Sequence, residues 1–133
     1  LNVGDSRAYL YHEEELRQIS LDHSYVEEMR RRGRITEEAA RTHPQKNLIT
    51  RAVGVEPMVE GDLFEVQLAD SDILLLCTDG LTGMAEDSQI AEVLKSARSL
   101  ELAGDALLRL ALDGGGRDNI TAALFTRGIR QEA

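Results

Sequence analysis

A short apolar run near the middle of the chain constrains the fold more than any other feature of the sequence. Residues Ile73–Cys77 read ILLLC and lie between the turn-forming residues Asp70-Ser71-Asp72 and Asp79-Gly80. A short apolar segment between turn residues predicts a strand, because helices are longer. Since its apolar residues do not alternate with polar ones, the strand is expected to be buried on both faces.

Strand and helix patterns on either side of this run predict an α+β fold with mostly antiparallel strands. The other strand-like segments are Asn2–Tyr11, the hairpin return Leu16–Ser20, Leu63–Leu68 and Ile120–Thr126. Four helices are predicted. The first is Val26–Arg32, with a capping box at Ser24, and the second lies between the N-cap Thr36 and His43. The other two are Ser88–Ala97 and Leu100–Leu112. The segment Leu48–Val53 fits either a short helix or a strand, and residues 54–61 are expected to form a loop.

Composition restricts the classes of partner. The 133 residues form one domain or part of one, and their formal net charge is -9, whereas nucleic acid and anionic membranes bind basic surfaces. The longest uninterrupted apolar run, Ile73–Cys77, is too short to span a bilayer. Cys77 is the only cysteine, so no disulfide can form within the chain, which fits a reducing compartment. We therefore expect a cytoplasmic protein that binds neither nucleic acid nor membrane.

Three aspartates lie at the ends of predicted strands. Asp5 stands in Gly4-Asp5-Ser6-Arg7, Asp79 follows the apolar run, and Asp118 precedes the last strand. Carboxylates brought together from distant segments are the ligands that hard cations such as Mg²⁺ and Mn²⁺ require. Each segment also has a simpler interpretation, because Asp-Gly and Asp-Asn pairs commonly form turns.

Three segments, in this order along the chain, resemble the metal-dependent serine/threonine protein phosphatases of the protein phosphatase 2C (PPM) family, bacterial type. They are GDSR (4–7), DILLLCTDGLTG (72–83) and GGGRDNIT (114–121). The resemblance extends from Asn2 to about Thr126 and corresponds to the C-terminal portion of a single catalytic domain, here 1–133. It implies part of an α/β/β/α sandwich, in which two antiparallel sheets are flanked by helices.

The resemblance also implies a reaction, which is the hydrolysis of phosphoserine and phosphothreonine in proteins phosphorylated by a serine/threonine kinase. The cofactor is Mn²⁺ or Mg²⁺, two ions and possibly three. A hydroxide that bridges two ions attacks the phosphorus, so no side chain acts as the nucleophile. By this resemblance Asp79 and Asp118 hold one ion, and Asp5 shares a third, weaker ion with Asp79. Some members have an acidic residue at the position of Gly83, so its absence weakens the third site.

Further roles follow from the same resemblance. Gly80 and Asn119 are expected to support the two metal-binding loops. The segments GRIT (33–36) and HPQKNLITRAVG (43–54) are similar to the flap subdomain of bacterial members, which predicts a flap-like excursion at about 24–47. Thr36 and His43 are its candidate substrate contacts. A solvated pair of helices with no role in substrate binding remains an equal alternative for this segment.

Some of the family's motifs do not occur in this sequence. The segment Asp-Gly-x-Gly-Gly, which holds the first ion, is absent, as is the neighbouring arginine that binds phosphate. We therefore expect this chain alone to be inactive. Without neighbouring strands, Val3–Leu10 and Ile73–Cys77 should have exposed edges. That predicts either a fragment of a longer chain or strand exchange with a second copy.

Two other functions remain open from the sequence. One is a non-catalytic, phosphatase-like module for binding or regulation. The other is a Mg²⁺-dependent phosphohydrolase of the haloacid-dehalogenase-like class, but that class needs a second aspartate where Leu81 stands. None of the histidines is assigned to catalysis. His12 and His43 are expected to be exposed and structural, and His23 precedes the capping box.

Overall fold

The structure, a computed structural model, describes residues 1–128 of the 133. These residues form two compact units. Residues 1–6 and 20–64 make up the loop unit, and residues 7–19 and 65–128 make up the sheet unit. The predicted α+β class is confirmed. Within residues 1–128 no helix is both long and apolar enough to cross a membrane.

The sheet unit contains a four-stranded antiparallel sheet in the order β2-β1-β3-β4. Its strands are β1 (Arg7–His12), β2 (Glu15–Gln18), β3 (Ile73–Cys77) and β4 (Ala122–Phe125). Strand β3 has the predicted bounds. Glu13 and Glu14, with φ of 47° and 68°, form the tight turn between β1 and β2.

Helices cover one face of this sheet. They are α3 (Asp79–Thr82), α4 (Asp87–Ser96) and α5 (Leu100–Asp113). Tyr9 of β1 pairs with Leu75 of β3, so the two side chains lie on the same face, and neither has any exposed surface. The core beneath the helices also includes Ile73, Cys77, Leu81, Ile90, Leu94, Ala103 and Leu107. Helices α4 and α5 begin and end within one residue of their predicted bounds.

The opposite face of the sheet remains partly open. Leu76 of β3 is 49% exposed and Phe125 of β4 is 54% exposed. The prediction that Ile73–Cys77 is buried on both faces is therefore wrong for this chain. The prediction of exposed edges is also wrong, because β1 and β3 each have neighbours on both sides and the edge strands are β2 and β4.

Several predicted elements differ from the structure. Strand β1 begins at Arg7 and not at Asn2, since Gly4 has a φ of +110° that interrupts extended backbone. The alternating segment Leu63–Leu68 pairs with no strand among residues 1–128, and Leu63 is 82% exposed. Alternation alone did not supply the hydrogen-bonding neighbour that a strand requires. The ambiguous segment Leu48–Val53 forms neither element and makes only isolated bridges.

The loop unit contains two short helices, α1 (Tyr25–Arg31) and α2 (Glu37–Thr42). Their predicted N-caps are confirmed, but the Glu27 carboxylate accepts from Arg30 at 2.9 and 2.7 Å and does not complete the predicted capping box. Ser24 Oγ accepts from the Glu27 amide at 3.3 Å, and Thr36 Oγ1 accepts from the Ala39 amide at 3.1 Å. Each cap satisfies an amide that has no partner within its helix.

Candidate metal-binding loops

Asp79 is the first residue of α3, and one residue, Thr78, separates it from the end of β3. The sequence predicted a turn here, whereas the chain forms one short helix whose N-cap is Thr78. Asp79 is half-buried. A carboxylate in the first turn of a helix is favoured by the unpaired amides there.

Asp118 lies in the loop between α5 and β4 and is exposed. One of its oxygens accepts a hydrogen bond from the Asn119 amide at 2.7 Å. The predicted end of α5 at the triple glycine is confirmed, with Gly115 and Gly116 at φ of 129° and 53°. These positive φ values turn the chain sharply from the helix toward the Asp118 loop.

Three hydrogen bonds join the two loops. The Thr78 amide donates to the Thr121 carbonyl at 3.0 Å, and the Thr121 amide donates to Thr78 Oγ1 at 3.1 Å. The Thr78 hydroxyl in turn donates to the Asn119 carbonyl at 3.4 Å. Thr78 precedes Asp79, and Asn119 follows Asp118. These three hydrogen bonds therefore hold the two aspartate-bearing segments side by side.

Gly80 allows the close approach of these loops. A Cβ at this position would clash with the carbonyl oxygen of Asn119 and would lie 2.8 Å from its carbonyl carbon. The same atom would be 3.2 Å from Ile120 Cα. The sequence assigned Gly80 to a sharp turn, but it lies in helix α3 without a positive φ. Contact with the Asn119 backbone is the reason for glycine here.

The donor chemistry of these loops fits a hard cation. Asp79 and Asp118 offer carboxylate oxygens, which Mg²⁺ and Mn²⁺ prefer to nitrogen or sulfur. No group of three or more His, Cys, Asp or Glu side chains able to hold a metal ion is found in the described part of the chain. The loops therefore provide part of a ligand set and require further ligands.

Asp5 belongs to the loop unit, where it follows the buried residue Gly4 and is itself half-buried. Thr36 and His43 lie at the two ends of α2. The Thr36 hydroxyl caps the helix, and His43 Nδ1 accepts from the Gln45 amide at 3.0 Å. Both flap candidates thus have a local structural role, and their contact with a substrate stays a prediction.

The sequence did not reveal several polar pairs. His12 Nδ1 lies 2.6 Å from Asp72 Oδ1, and this carboxylate, through its hydrogen bond, raises the pKa of His12. Burial raises the pKa of Tyr9, whose hydroxyl donates to Asp87 at 2.9 Å. The partners in these pairs are distant in sequence, so no local pattern could have identified them.

Comparison with known proteins identifies relatives of this chain. No family model matches the chain. The serine/threonine phosphatase Stp of Listeria innocua is 47% identical over 131 residues, which are 98% of this chain and 52% of that protein. The chain therefore spans about half the length of the curated relatives it matches.

Solved structures show the same fold. The PPM Ser-Thr phosphatase MsPP of Mycobacterium smegmatis, solved with cacodylate, is 36% identical with a TM-score of 0.86, covering 96% of this chain and 54% of that one. The catalytic domain of the phosphatase PstP, solved with 2 manganese ions, is 38% identical with a TM-score of 0.77. That match covers 92% of this chain and 50% of the PstP chain.

Proposed function

Because the chain belongs to the PPM-type serine/threonine protein phosphatases, we propose that it supplies part of the active site for metal-dependent hydrolysis of phosphoserine and phosphothreonine in proteins. The observation that carries this proposal is the junction of the Asp79 and Asp118 loops. Thr78 joins these loops by hydrogen bonds, and Gly80 lets their backbones meet.

Asp79 and Asp118 would hold one divalent ion, and Asp5 would contribute to a third, weaker one. The PstP structure with 2 manganese ions supports Mn²⁺ as a cofactor. A bound divalent cation supplies the positive charge that stabilises a phosphoester as it is cleaved. The residues of this chain hold and orient that charge, and none of them is assigned as a nucleophile.

The remaining ligands would come from the half of the relatives that this chain does not match. We expect the chain alone to be inactive for that reason. Phosphoproteins of a serine/threonine kinase are the proposed substrates, and Thr36 and His43 are the proposed contacts of the flap. The haloacid-dehalogenase-like alternative is disfavoured further by the structure, since Leu81 is fully buried where that class needs a catalytic aspartate.

A chimera tests the proposal directly. The part of the Listeria innocua phosphatase outside the match is fused to this chain, and hydrolysis of a phosphothreonine peptide is measured with millimolar Mn²⁺. Asp79→Asn and Asp118→Asn should each lower the rate by more than about 100-fold. A loss of this size exceeds the usual effect of substituting a residue that only hydrogen-bonds to a metal ligand. Asp105→Asn, an exposed aspartate of α5, is the matched control and should leave the rate unchanged.

The unfused chain serves as the second arm of the same experiment. It should fold, as judged by circular dichroism, and hydrolyse neither the peptide nor p-nitrophenyl phosphate. Turnover by the unfused chain that is lost in Asp79→Asn would contradict the expected inactivity and would indicate exchange of strands between two copies. A folded chimera without Mn²⁺-dependent activity would favour the non-catalytic binding module.

A further inference from the structure

His23 is buried, with only 6% of its surface exposed, and both ring nitrogens have partners within the loop unit. The Gly4 amide donates to Nδ1 at 3.1 Å, and Nε2 lies 2.8 Å from Asp62 Oδ2. A backbone amide can only donate, so Nδ1 is the acceptor and the ring proton is on Nε2. Nε2 therefore donates to the Asp62 carboxylate.

The same histidine holds Gly4 from a second direction. The backbone amide of His23 donates to the Gly4 carbonyl at 2.9 Å, while the ring accepts from the Gly4 amide. Gly4 is buried and has a φ of +110°, a conformation that residues with a Cβ rarely adopt. Because both polar backbone groups of Gly4 are bound to His23, this contact sets the direction in which the chain enters Asp5.

Asp62 is anchored independently of the histidine. Its amide and carbonyl pair with the backbone of Asn2 at 3.0 and 2.8 Å. Its second carboxylate oxygen, Oδ1, lies 3.6 Å from Arg51 Nη1, and the same Nη1 donates to the Glu60 carbonyl at 3.0 Å. A carboxylate whose backbone is paired and whose second oxygen faces Arg51 can orient the imidazole ring and select its tautomer.

We propose that His23 is a positioning residue for Asp5 and that Asp62 holds its ring in the tautomer that accepts from Gly4. This inference rests on the proposed function, in which Asp5 contributes to cation binding. His23 acts through the Gly4 backbone, so its role is to restrict the orientation of the Asp5 carboxylate before a cation binds. In metal sites a carboxylate that accepts from a ligand histidine fixes its ring and tautomer, and Asp62 fixes the His23 ring in this way against the Gly4 amide.

Two substitutions separate the contacts of His23. His23→Asn keeps an acceptor near the position of Nδ1 for the Gly4 amide but is too short to reach Asp62. His23→Gln reaches toward Asp62 but leaves no acceptor near the Gly4 amide. Binding of Mn²⁺ to the chimera with the Listeria innocua part, which would supply the remaining ligands, is followed by the paramagnetic broadening of the Asp5 amide signal, which requires no turnover. His23→Gln should raise the Mn²⁺ concentration for half broadening by about ten-fold, and His23→Asn by much less.

The tautomer gives a second, metal-free measurement. A long-range ¹H–¹⁵N correlation spectrum of the chain should show His23 as the Nε2–H form. Asp62→Asn should change the His23 ring signals in this spectrum. The proposal is overturned if the ring carries its proton on Nδ1, or if Mn²⁺ does not broaden Asp5 in the unsubstituted chimera. It is also overturned if both His23 variants lose stability to urea equally while the Mn²⁺ dependence at Asp5 stays the same. Failure of the proposed function is detected by a separate comparison, in which the Asp79→Asn variant of the chimera hydrolyses the phosphothreonine peptide as fast as the unsubstituted chimera.

Discussion

Gly80 shows at the scale of one residue how a missing side chain allows two loops to meet. We predict that Gly80→Ala destabilises the chain by about 1–3 kcal/mol, because the new Cβ would clash with the Asn119 backbone, which cannot move aside as a flexible side chain can. The free energy of unfolding in urea measures this effect. The substitution should also separate the Asp79 and Asp118 loops, which would appear as shifted amide signals of Asn119 and Ile120.

Gly104 provides the matched control for this substitution. It lies inside α5, and a Cβ there would be 3.6 Å from Leu124 Cδ1, an ordinary packing distance. Gly104→Ala should therefore stabilise the chain by up to about 1 kcal/mol through its better helix propensity. Equal effects of the two substitutions would show that Gly80 has no steric role.

His12 and Asp72 predict a pH dependence of stability. The Asp72 carboxylate raises the pKa of His12 above its ordinary 6.5, and the hydrogen bond from His12 lowers the pKa of Asp72 below its ordinary 3.8. The contribution of His12 is complete below pH 6.5 and is lost as the pH rises through its higher folded-state pKa. The contribution of Asp72 is present above pH 3.8 and is lost as the pH falls through its lower folded-state pKa.

The pair should thus stabilise the chain most between about pH 4 and about pH 6.5. The difference in unfolding free energy between the unsubstituted chain and His12→Gln is measured in urea across this range and up to pH 9. We expect the difference to shrink as the pH rises above the window. The same comparison in an Asp72→Asn background is the control, where the pH dependence should be absent. If it persists there, another group, such as Glu13 beside the ring, is its cause.

The residue-level predictions from the sequence depended on local information. Asp79, Asp118 and Asp5 stand in short motifs, so the sequence alone could nominate them as ligands, and that assignment stays a prediction. The bond between His23 and Asp62 joins residues 39 positions apart, and nothing near either residue indicates it. The role of Gly80 was partly anticipated, but its physical reason depends on a loop that is remote in the sequence.

Capping gives a prediction at the scale of one element, helix α5. Ser99 Oγ accepts from the Leu102 amide at 3.1 Å, which satisfies an otherwise unpaired amide at the start of the helix. Ser99→Ala should destabilise the chain by about 1 kcal/mol in urea unfolding. Ser88→Ala, an exposed serine in the first turn of α4, is the matched control and should change stability by less than about 0.5 kcal/mol. A loss for Ser99→Ala no larger than the control would mean that the cap is not formed in solution.

Elements defined by a local sequence pattern were predicted correctly, and elements that depend on distant contacts were not. Strand β3 and the N-caps of α1 and α2 are each determined by a few consecutive residues, and they were predicted correctly. The segment Leu63–Leu68 has the alternation of a strand but pairs with none of the described residues. Helix α3 was missed, since its four residues are too few for a periodic pattern and it depends on packing of Leu81 in the core.

The whole sheet unit has one open apolar face, on which Leu76 and Phe125 are 49% and 54% exposed. The relatives are about twice as long as this chain, and the resemblance implies a second sheet in the complete domain. We expect that second sheet to cover this face in the chimera with the Listeria innocua part. The same side chains would then be half-exposed in one protein and buried in the other.

A double substitution, Leu76→Ser with Phe125→Ser, distinguishes these two environments. In the unfused chain it should lower the unfolding free energy by about 2 kcal/mol, because about half of each side chain is buried there. In the chimera it should cost more than about 3 kcal/mol, since two large apolar side chains would leave a packed interior. Leu108→Ser, at an exposed leucine of α5, is the control and should have the same small effect in both proteins. Equal effects of the double substitution in both proteins would show that the face stays open in the longer chain, and the two-sheet arrangement would then not apply to this protein.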